Sequence, residues 1–375
     1  MDTEEYPLCT DQQAARRTEG ARRCGPLNIT PTERQMPDHT KLTRWFSEVR
    51  ARMNKSAHSR RWERQPDDPE KSDHRKMTSI LRTMVANALP ARDAYLRDVP
   101  NDYYAMWLDP RMVYSCAWFE NGDEDLATAQ LKKIDHVLTK IGLMPGHTLL
   151  DVDCGWGALV IRAAEKFGAR CVGITLSKNQ FDWASECVRA AGLTDRVEIR
   201  LQAYPDVEGW FDRITSLGMF EYEGRSDLQD YAAVLQERLA TDGVLVSHGI
   251  MSTGPCSGRF VFDDSEYCSR YVFPDDELPD LGYALTAMRE GGLEVSYIQN
   301  LRRHCVRTLR LWEANFRAKE TALRQLVDDR SFQTWCNYLS GWASAFEHDD
   351  VSIYEIVGRK VGTRASALPW PGGAG

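Results

Sequence analysis

The sequence predicts an α/β fold built on a doubly wound sheet of seven strands. Short apolar runs alternate with longer segments of helical period, which is the pattern of repeated β-α units and of a parallel sheet. One apolar run ends directly in a glycine-containing turn, LLDVDCGWG at 149–157, and a helical segment follows it. With 375 residues, of which 42% are hydrophobic, the chain can bury both faces of such a sheet.

Apolar and β-branched runs between turn signals define the predicted strands. We place them at 147–152, 170–175, 197–201, 213–217, 243–248, 293–299 and 352–358. Helical periodicity predicts helices near 156–167, 178–191 and 227–240. The stretch 252–290 has no clear period, and its length favours a lid or a substrate-pocket insertion.

Composition and charge argue against several classes of protein. A formal net charge of -8 argues against nucleic acid as a partner. The ten cysteines are scattered without a C-x-x-C pair, so no metal site is predicted. The N-terminus lacks the basic and apolar regions of a signal peptide, and no run approaches the roughly 20 apolar residues of a membrane span. We therefore expect a cytoplasmic protein with reduced thiols.

A basic segment interrupts this acidic background at 41–64, where eight Lys or Arg stand against two Asp or Glu. Its apolar residues fall on one face of a predicted helix. They are Leu42, Trp45, Phe46, Val49 and Met53. A basic and aromatic helix of this kind can lie on a membrane, which would make the protein peripheral to the inner face of that membrane. The helix can also dock on the main domain with its charges in solvent, and we favour docking.

The glycine-containing turn at 149–157 predicts a cofactor site. Glycines let the backbone approach a ligand closely, and the following helix offers unpaired N–H groups. A dinucleotide site would need a third glycine at position 160 and an acidic residue at the end of the second strand. The chain has Val160 and Thr175 there. A nucleoside cofactor without a pyrophosphate fits better, and S-adenosylmethionine (SAM) is the common one.

Five motifs point to a known family. They are NDYYAMWLDPRMVYSCAWF, LLDVDCGWGALVIRAAEKFGARCVGITLSKNQ, SLGMFEYEG, YVFPDDELP and RTLRLW, in that order. Together they resemble the cyclopropane fatty acid synthases and mycolic acid cyclopropane synthases, from about residue 95 to 361. The resemblance implies a class I SAM-methyltransferase fold of the Rossmann-like type. It also implies an enzyme that methylates a carbon–carbon double bond in an unsaturated acyl lipid or a specialised metabolite.

The resemblance further implies a set of cofactor-binding residues. They are Tyr114, Ser115, Asp151, Gly155, Gly157, Thr175, Leu176, Gln180 and Tyr204. The first two would line the cofactor, and the turn residues would wrap its methionine part. Thr175, Leu176 and Gln180 would hold the ribose side, and Tyr204 would lie near the adenine.

Methylation of an alkene leaves a carbocation, which must lose a proton before a cyclopropane ring can close. Such chemistry needs a dry pocket and a nearby base. In the family, that base is a bound bicarbonate ion, and its ligands carry over by motif to Cys116, Glu221, His248 and Ile250. Glu221 and His248 also follow or end predicted strands at the edge where α/β sheets bind ligands.

The chain departs from the family's motifs at several positions. Asp153 replaces the first glycine of the turn, where a negative side chain would crowd or repel the carboxylate of SAM. Cys305 replaces a tyrosine that binds bicarbonate, and Trp342 replaces a cysteine. Two alternatives therefore stay open. One is a small-molecule N-methyltransferase of the same family, which needs no carbocation quench, and the other is a degenerate SAM-fold subunit that binds a partner.

The expected organisation along the chain has four regions. Residues 1–76 form a disordered tail that carries the basic helix and a linker, and residues 77–142 form a helical segment that closes the cofactor site. Residues 143–361 form the methyltransferase domain, with the lid insertion at about 252–290. Residues 362–375 form a second disordered tail.

Overall fold

The computed structural model describes residues 100–220, 224–254 and 278–362, without the side chains of 224–226 and 330. Several predictions concern residues outside these ranges. The basic segment 41–64, Glu221 and most of the expected lid are among them.

One sheet of seven strands forms the centre of the described region, in the order β3-β2-β1-β4-β5-β7-β6. The strands are β1 (Thr148–Val152), β2 (Arg170–Thr175), β3 (Val197–Leu201), β4 (Phe211–Leu217), β5 (Leu239–Ser252), β6 (Leu293–Asn300) and β7 (Val351–Lys360). Strands β1 to β5 pair in parallel. The fold class predicted from the sequence is confirmed, together with all seven strands.

The expectation of a wholly parallel sheet is wrong at β7, which runs antiparallel to both β5 and β6. The start of β7 lies beside the end of β5, where Ser252 pairs with Val351. The chain therefore enters β7 at the edge where its neighbours end, and β7 can only run in the opposite direction.

Helices cover both faces of the sheet. They are α1 (Asn101–Ala105), α2 (Leu126–Lys140), α3 (Ala158–Phe167), α4 (Lys178–Ala190), α5 (Gly224–Arg238), α6 (Leu281–Glu290), α7 (Arg302–Ala318), α8 (Glu320–Leu323) and α9 (Asp329–Glu347). Helices α2, α3 and α4 pack on the face that carries Leu149 and Val246, and α5 and α6 pack on the face that carries Leu150 and Leu245. This is the layered arrangement of a doubly wound fold.

The region 252–290, expected to be irregular, contains the regular helix α6. Asp280 caps this helix by accepting a hydrogen bond from the backbone N–H of Tyr283 at 2.9 Å. Ala284 and Met288 are buried against the core that α6 shares with α5. Residues 281–290 therefore belong to the framework rather than to a lid. The small side chains of this face gave only a weak helical period in the sequence.

Residues 100–142, the described part of the region 77–142, are less helical than expected. Residues 106–125 form turns and irregular chain between α1 and α2. Aromatic side chains from α1 and the turn after it pack against α7 and α9, with Tyr103 and Trp107 both close to Phe316 and Trp335. The same cluster includes Trp156, so it adjoins the carboxyl end of β1.

Among the described helices, none combines the length and the apolar character that a membrane crossing requires.

Candidate active site

A cavity of about 170 Å³ lies at the carboxyl ends of β1, β4 and β5. Asp151 from β1, Leu217 from β4 and His248 from β5 line it. This is the edge at which α/β sheets bind their ligands. Aromatic residues complete the lining, among them Trp312 from α7 and Trp342 from α9.

The turn after β1 borders the cavity, and three residues of the turn have backbone angles in the left-handed region. Asp153 has φ 59°, Gly155 has φ 56° and Gly157 has φ 87°. A methyl group added at Gly157 would come within 3.1 Å of the Cβ of Ala184, whereas one added at Gly155 would meet nothing within 4 Å. Gly157 therefore lets α3 pack against α4. Gly155 lines the cavity and leaves space for a ligand close to the backbone.

A smaller cleft lies beside the cavity and shares the lining residue Asp153 with it. Thr175, Leu176 and Tyr204 line this cleft. The hydroxyl of Thr175 donates a hydrogen bond to Oε1 of Gln180 at 2.7 Å. Gln180 also lines the main cavity, so this bond joins the polar groups of the two spaces.

A buried lysine faces the cavity. Lys133 on α2 is 3% exposed, and its ammonium donates a hydrogen bond to Oγ of Ser115 at 2.8 Å. Burial lowers the pKa of Lys133 to about 8, although the nearby Cys116, Asp151 and Asp109 partly offset this effect. Burial also raises the pKa of Asp151 to about 7, against a hydrogen bond from Thr215 at 2.6 Å. Two ionisable groups therefore have pKa values close to physiological pH, which is a common property of binding and catalytic sites.

A thiol and an imidazole share the same cavity. Cys116, His248 and Ile250 all line it, as does Cys305. The Nε2 atom of His248 lies 3.0 Å from Oε2 of Glu355, while its Nδ1 atom is buried with no hydrogen-bond partner among the described residues. Burial lowers the pKa of His248, which favours the neutral imidazole that can accept a proton.

The polar groups of this site fit SAM. Lys133 offers a positive charge for a carboxylate, and Asp151 offers a carboxylate for an ammonium group. Gln180 and the threonine of the smaller cleft offer hydrogen bonds to a sugar. The indole N–H of Trp312, like Nδ1 of His248, is buried without a partner among the described residues, and a bound ligand could satisfy it.

The profile of the mycolic acid cyclopropane synthetase family matches residues 89–356. The chain belongs to this family. It is 38% identical over 306 residues to a probable fatty acid methyltransferase of Pseudomonas putida, covering 80% of this chain and 75% of that relative. It is 32% identical over 275 residues to cyclopropane mycolic acid synthase 1 of Mycobacterium tuberculosis, covering 70% of this chain and 94% of that relative.

Solved structures agree with this assignment. The crystal structure of a mycolic acid cyclopropane synthase complexed with S-adenosylhomocysteine (SAH) and CTAB has a TM-score of 0.65 at 30% identity. The match covers 70% of this chain and 95% of the solved chain. As a member of the mycolic acid cyclopropane synthetase family, the protein is a SAM-dependent methyltransferase and SAM is its cofactor. These comparisons do not favour the alternatives of an N-methyltransferase or a degenerate subunit.

The structure brings most of the predicted site residues into the two neighbouring spaces. Those in the main cavity are Tyr114, Ser115, Cys116, Asp151, Gly155, Gln180, His248 and Ile250. Those in the smaller cleft are Thr175, Leu176 and Tyr204. Gly157 lines neither space and is instead the N-cap residue of α3. Glu221 lies outside the described residues, and the roles of all these residues stay predictions.

The sequence analysis did not single out Lys133 or Glu355. Lys133 occupies the face of α2 that also carries Gln130, Ile134 and Val137, all buried. A charged residue on an otherwise buried helical face was the signal that could have identified it. Glu355 gave no comparable signal, because its position opposite His248 depends on the antiparallel register of β7.

Proposed function

We propose that the protein transfers a methyl or methylene group from SAM to a carbon–carbon double bond of an unsaturated acyl lipid. One observation carries the proposal: a buried imidazole and a thiol line the same cavity as a set of aromatic side chains. Such a cavity suits alkene methylation, because the alkene is apolar, the cation that forms must be kept from water, and the imidazole can serve as a base. The names of the relatives, a fatty acid methyltransferase and cyclopropane synthases, support the same substrate class.

The residues of the chain would divide the work in a simple way. When bound, SAM supplies an electrophilic methyl group. Lys133 and Asp151 would hold its charged amino-acid end, and Thr175 and Gln180 would hold its sugar. The ring of Trp312 would stabilise positive charge on the acceptor and exclude water. His248 would accept the proton that the acceptor loses, either directly or through a bicarbonate ion that takes this proton and gives its own hydroxyl proton to Nδ1.

We also propose that bicarbonate binds between Cys116, His248 and the backbone of Ile250. The three residues line one cavity, and the unpartnered Nδ1 of His248 can hydrogen-bond to an anion when protonated, or to the hydroxyl of bicarbonate when neutral. Cys305 lines the cavity without the hydroxyl that a tyrosine would supply, so we expect weaker binding than a five-ligand site would give. Activity measured in buffer freed of carbon dioxide, with and without added bicarbonate, tests this.

A direct assay tests the main proposal. Enzyme, methyl-labelled SAM and vesicles of a monounsaturated phospholipid should give a lipid product heavier by one methylene group. Vesicles of the matching saturated phospholipid serve as the control and should gain no label. SAM binding without any labelled lipid would contradict the proposal, and label on an amine acceptor instead would support N-methylation.

Sequence alone favours docking of the basic helix on the main domain, but an acyl-lipid acceptor shifts the preference to membrane contact. We propose that the protein is cytoplasmic and binds membranes peripherally. The support is the basic segment 41–64 of the sequence, which pairs aromatic and apolar residues with a positive balance of charge. Co-sedimentation with anionic vesicles, at low and high salt, is the test. Equal binding to neutral and anionic vesicles would count against an electrostatic contact.

A further inference from the structure

Two histidines and one glutamate form a buried chain that begins at the cavity. His248 on β5 and Glu355 on β7 are directly opposite each other in the antiparallel register. The Oε2 atom of Glu355 lies 3.0 Å from Nε2 of His248, and its Oε1 atom lies 3.2 Å from Nε2 of His136 on α2. The side chain of Glu355 is fully buried, that of His248 is 1% exposed, and that of His136 is 18% exposed. One carboxylate therefore links an imidazole in the cavity to an imidazole that reaches solvent.

The charges around this chain favour movement of a proton away from the cavity. Burial lowers the pKa of His248 and the positive charge of Lys133 acts in the same direction, although the hydrogen bond and the charge of Glu355 oppose them. Although burial opposes it, hydrogen bonds from His136 and His248 hold the pKa of Glu355 well below its usual range. A proton on His248 is therefore easily lost, and a proton that reaches the Glu355 carboxylate is passed on rather than kept.

The other titratable groups near this chain lie on α2, on α7 and in the segment before α2. Trp118 stacks on His136, with ring centroids 4.0 Å apart, and on His304 from α7 at 4.4 Å. Burial lowers the pKa of His304; the charge of Arg303 lowers it further, and the charge of Glu124 raises it. The indole between the two imidazoles fixes the ring of His136, and its face attracts positive charge on that ring.

We propose that His248, Glu355 and His136 form a proton relay that carries the proton released in the reaction out of the closed cavity. The proposal rests on the proposed function and adds an exit path to it. When the ring closes, a C–H bond of the added methyl group breaks and its electron pair forms the new C–C bond. The proton passes to Nδ1 of His248, and Nε2 gives its proton to Glu355. The last transfer uses the tautomer of His136 that carries its proton on Nδ1: the carboxyl group protonates Nε2 of this ring, and the Nδ1 proton leaves to water. Each ring then returns to its starting tautomer.

Glu355 and His136 are positioning residues in this scheme, because neither lines the cavity. Two substitutions test them. Glu355→Gln keeps the shape of the side chain but cannot carry a proton. His136→Ala leaves a space that a small base can enter. We expect Glu355→Gln to lower kcat about 100-fold while the Kd for SAM, measured by calorimetry, stays within about twofold. His136→Ala should lower kcat about 10-fold, and added imidazole should restore most of it.

His348→Ala is the matched control, since this histidine lies at the exposed end of α9. Its kcat should equal that of the unchanged protein, with and without imidazole. Wild-type kcat in Glu355→Gln would overturn the relay. A second result would also overturn it: His136→Ala lowers kcat, SAM still binds, and added imidazole does not restore kcat. That pattern indicates a purely structural role for His136.

A second measurement on the free protein does not depend on the acceptor. With isotope-labelled histidine, NMR follows the titration of His136 in four proteins: the unchanged chain, His248→Gln, Glu355→Gln and the double variant. Because Oε1 of Glu355 lies 3.2 Å from Nε2 of His136, Glu355→Gln should displace the His136 titration downward by about 1 pH unit, whereas His248→Gln, which replaces a neutral ring, should leave it nearly unchanged. An undisplaced titration would overturn the relay even if lipid methylation is observed. A displaced titration without lipid methylation would instead contradict only the proposed function.

Discussion

Replacing Lys133 with methionine should stabilise the protein while weakening its cofactor site. Burial lowers the pKa of Lys133 from 10.5 to about 8, so below pH 8 the folded protein holds a charge that the site disfavours. At about 1.4 kcal/mol per pKa unit, this penalty is about 3 kcal/mol. The hydrogen bond from the charged Lys133 to Ser115 is lost in the variant, which costs about 1.5 kcal/mol. We therefore expect Lys133→Met to be more stable than the unchanged protein by about 1.5 kcal/mol at pH 6.

The sign of the pH dependence makes this prediction specific. Because the folded pKa lies below the unfolded one, the penalty is complete below pH 8 and is lost as the pH rises from about 8 toward 10.5. Urea unfolding at pH 6 and at pH 9.5 should therefore show the advantage of Lys133→Met at the lower pH and almost none at the higher. Calorimetry should show a loss of SAM affinity of about 10-fold or more, since a charged hydrogen bond is worth about 1.5–3 kcal/mol.

Lys166→Met is the control for these measurements. Lys166 is partly exposed and shares Asp135 with Arg162, which keeps its own bond to that carboxylate. Its replacement should change the free energy of unfolding by less than about 0.5 kcal/mol at either pH. A Lys133→Met protein that is less stable than the unchanged chain at pH 6, or whose advantage does not depend on pH, would refute the reasoning.

Three further expectations follow from the same geometry. Gly157→Ala should lower the free energy of unfolding by about 2 kcal/mol more than Gly155→Ala does, as measured by urea titration. Both glycines have positive φ, but only a methyl group at position 157 would be in close contact with Ala184. Asp125→Ala should cost about 1 kcal/mol in thermal or urea unfolding, since Asp125 caps α2 by accepting a backbone N–H. Gln180→Leu should weaken SAM binding about 10-fold in calorimetry with little loss of stability, and unchanged binding would remove this residue from the site.

The sequence predicted the strands well because each lies between clear turn signals. The predicted ranges for β2 and β3 coincide with Arg170–Thr175 and Val197–Leu201. The direction of β7 could not be predicted in the same way, since a strand pattern has a period but no orientation. The helix α6 was missed because alanines on its buried face, such as Ala284 and Ala287, carry little hydrophobic contrast.

The candidate site was predictable only where a local motif or the family's motifs marked it. Cys116 and His248 are 132 positions apart in the sequence, yet the topology brings both to one cavity, as the motifs implied. His136 and Glu355 are separated by 219 positions and belong to no motif quoted for the family. Their contact needs the packing of α2 together with the register of β7, and neither can be inferred from periodicity.

Burying a polar group costs free energy, and hydrogen bonds within the protein offset this cost for some groups but not for others. This difference distinguishes polar groups of the framework from those of the candidate site. Asp109 is buried and its pKa is raised by burial, but its two carboxylate oxygens accept backbone N–H bonds from Arg111 and Val113 at 3.0 and 2.8 Å. That carboxylate has local partners and fixes a turn. Lys133 and His248 line a cavity, and the Nδ1 of His248 is buried without a partner among the described residues. A fold that needed only stability would replace such groups with apolar ones, so their presence at the carboxyl edge of the sheet argues that a ligand completes them.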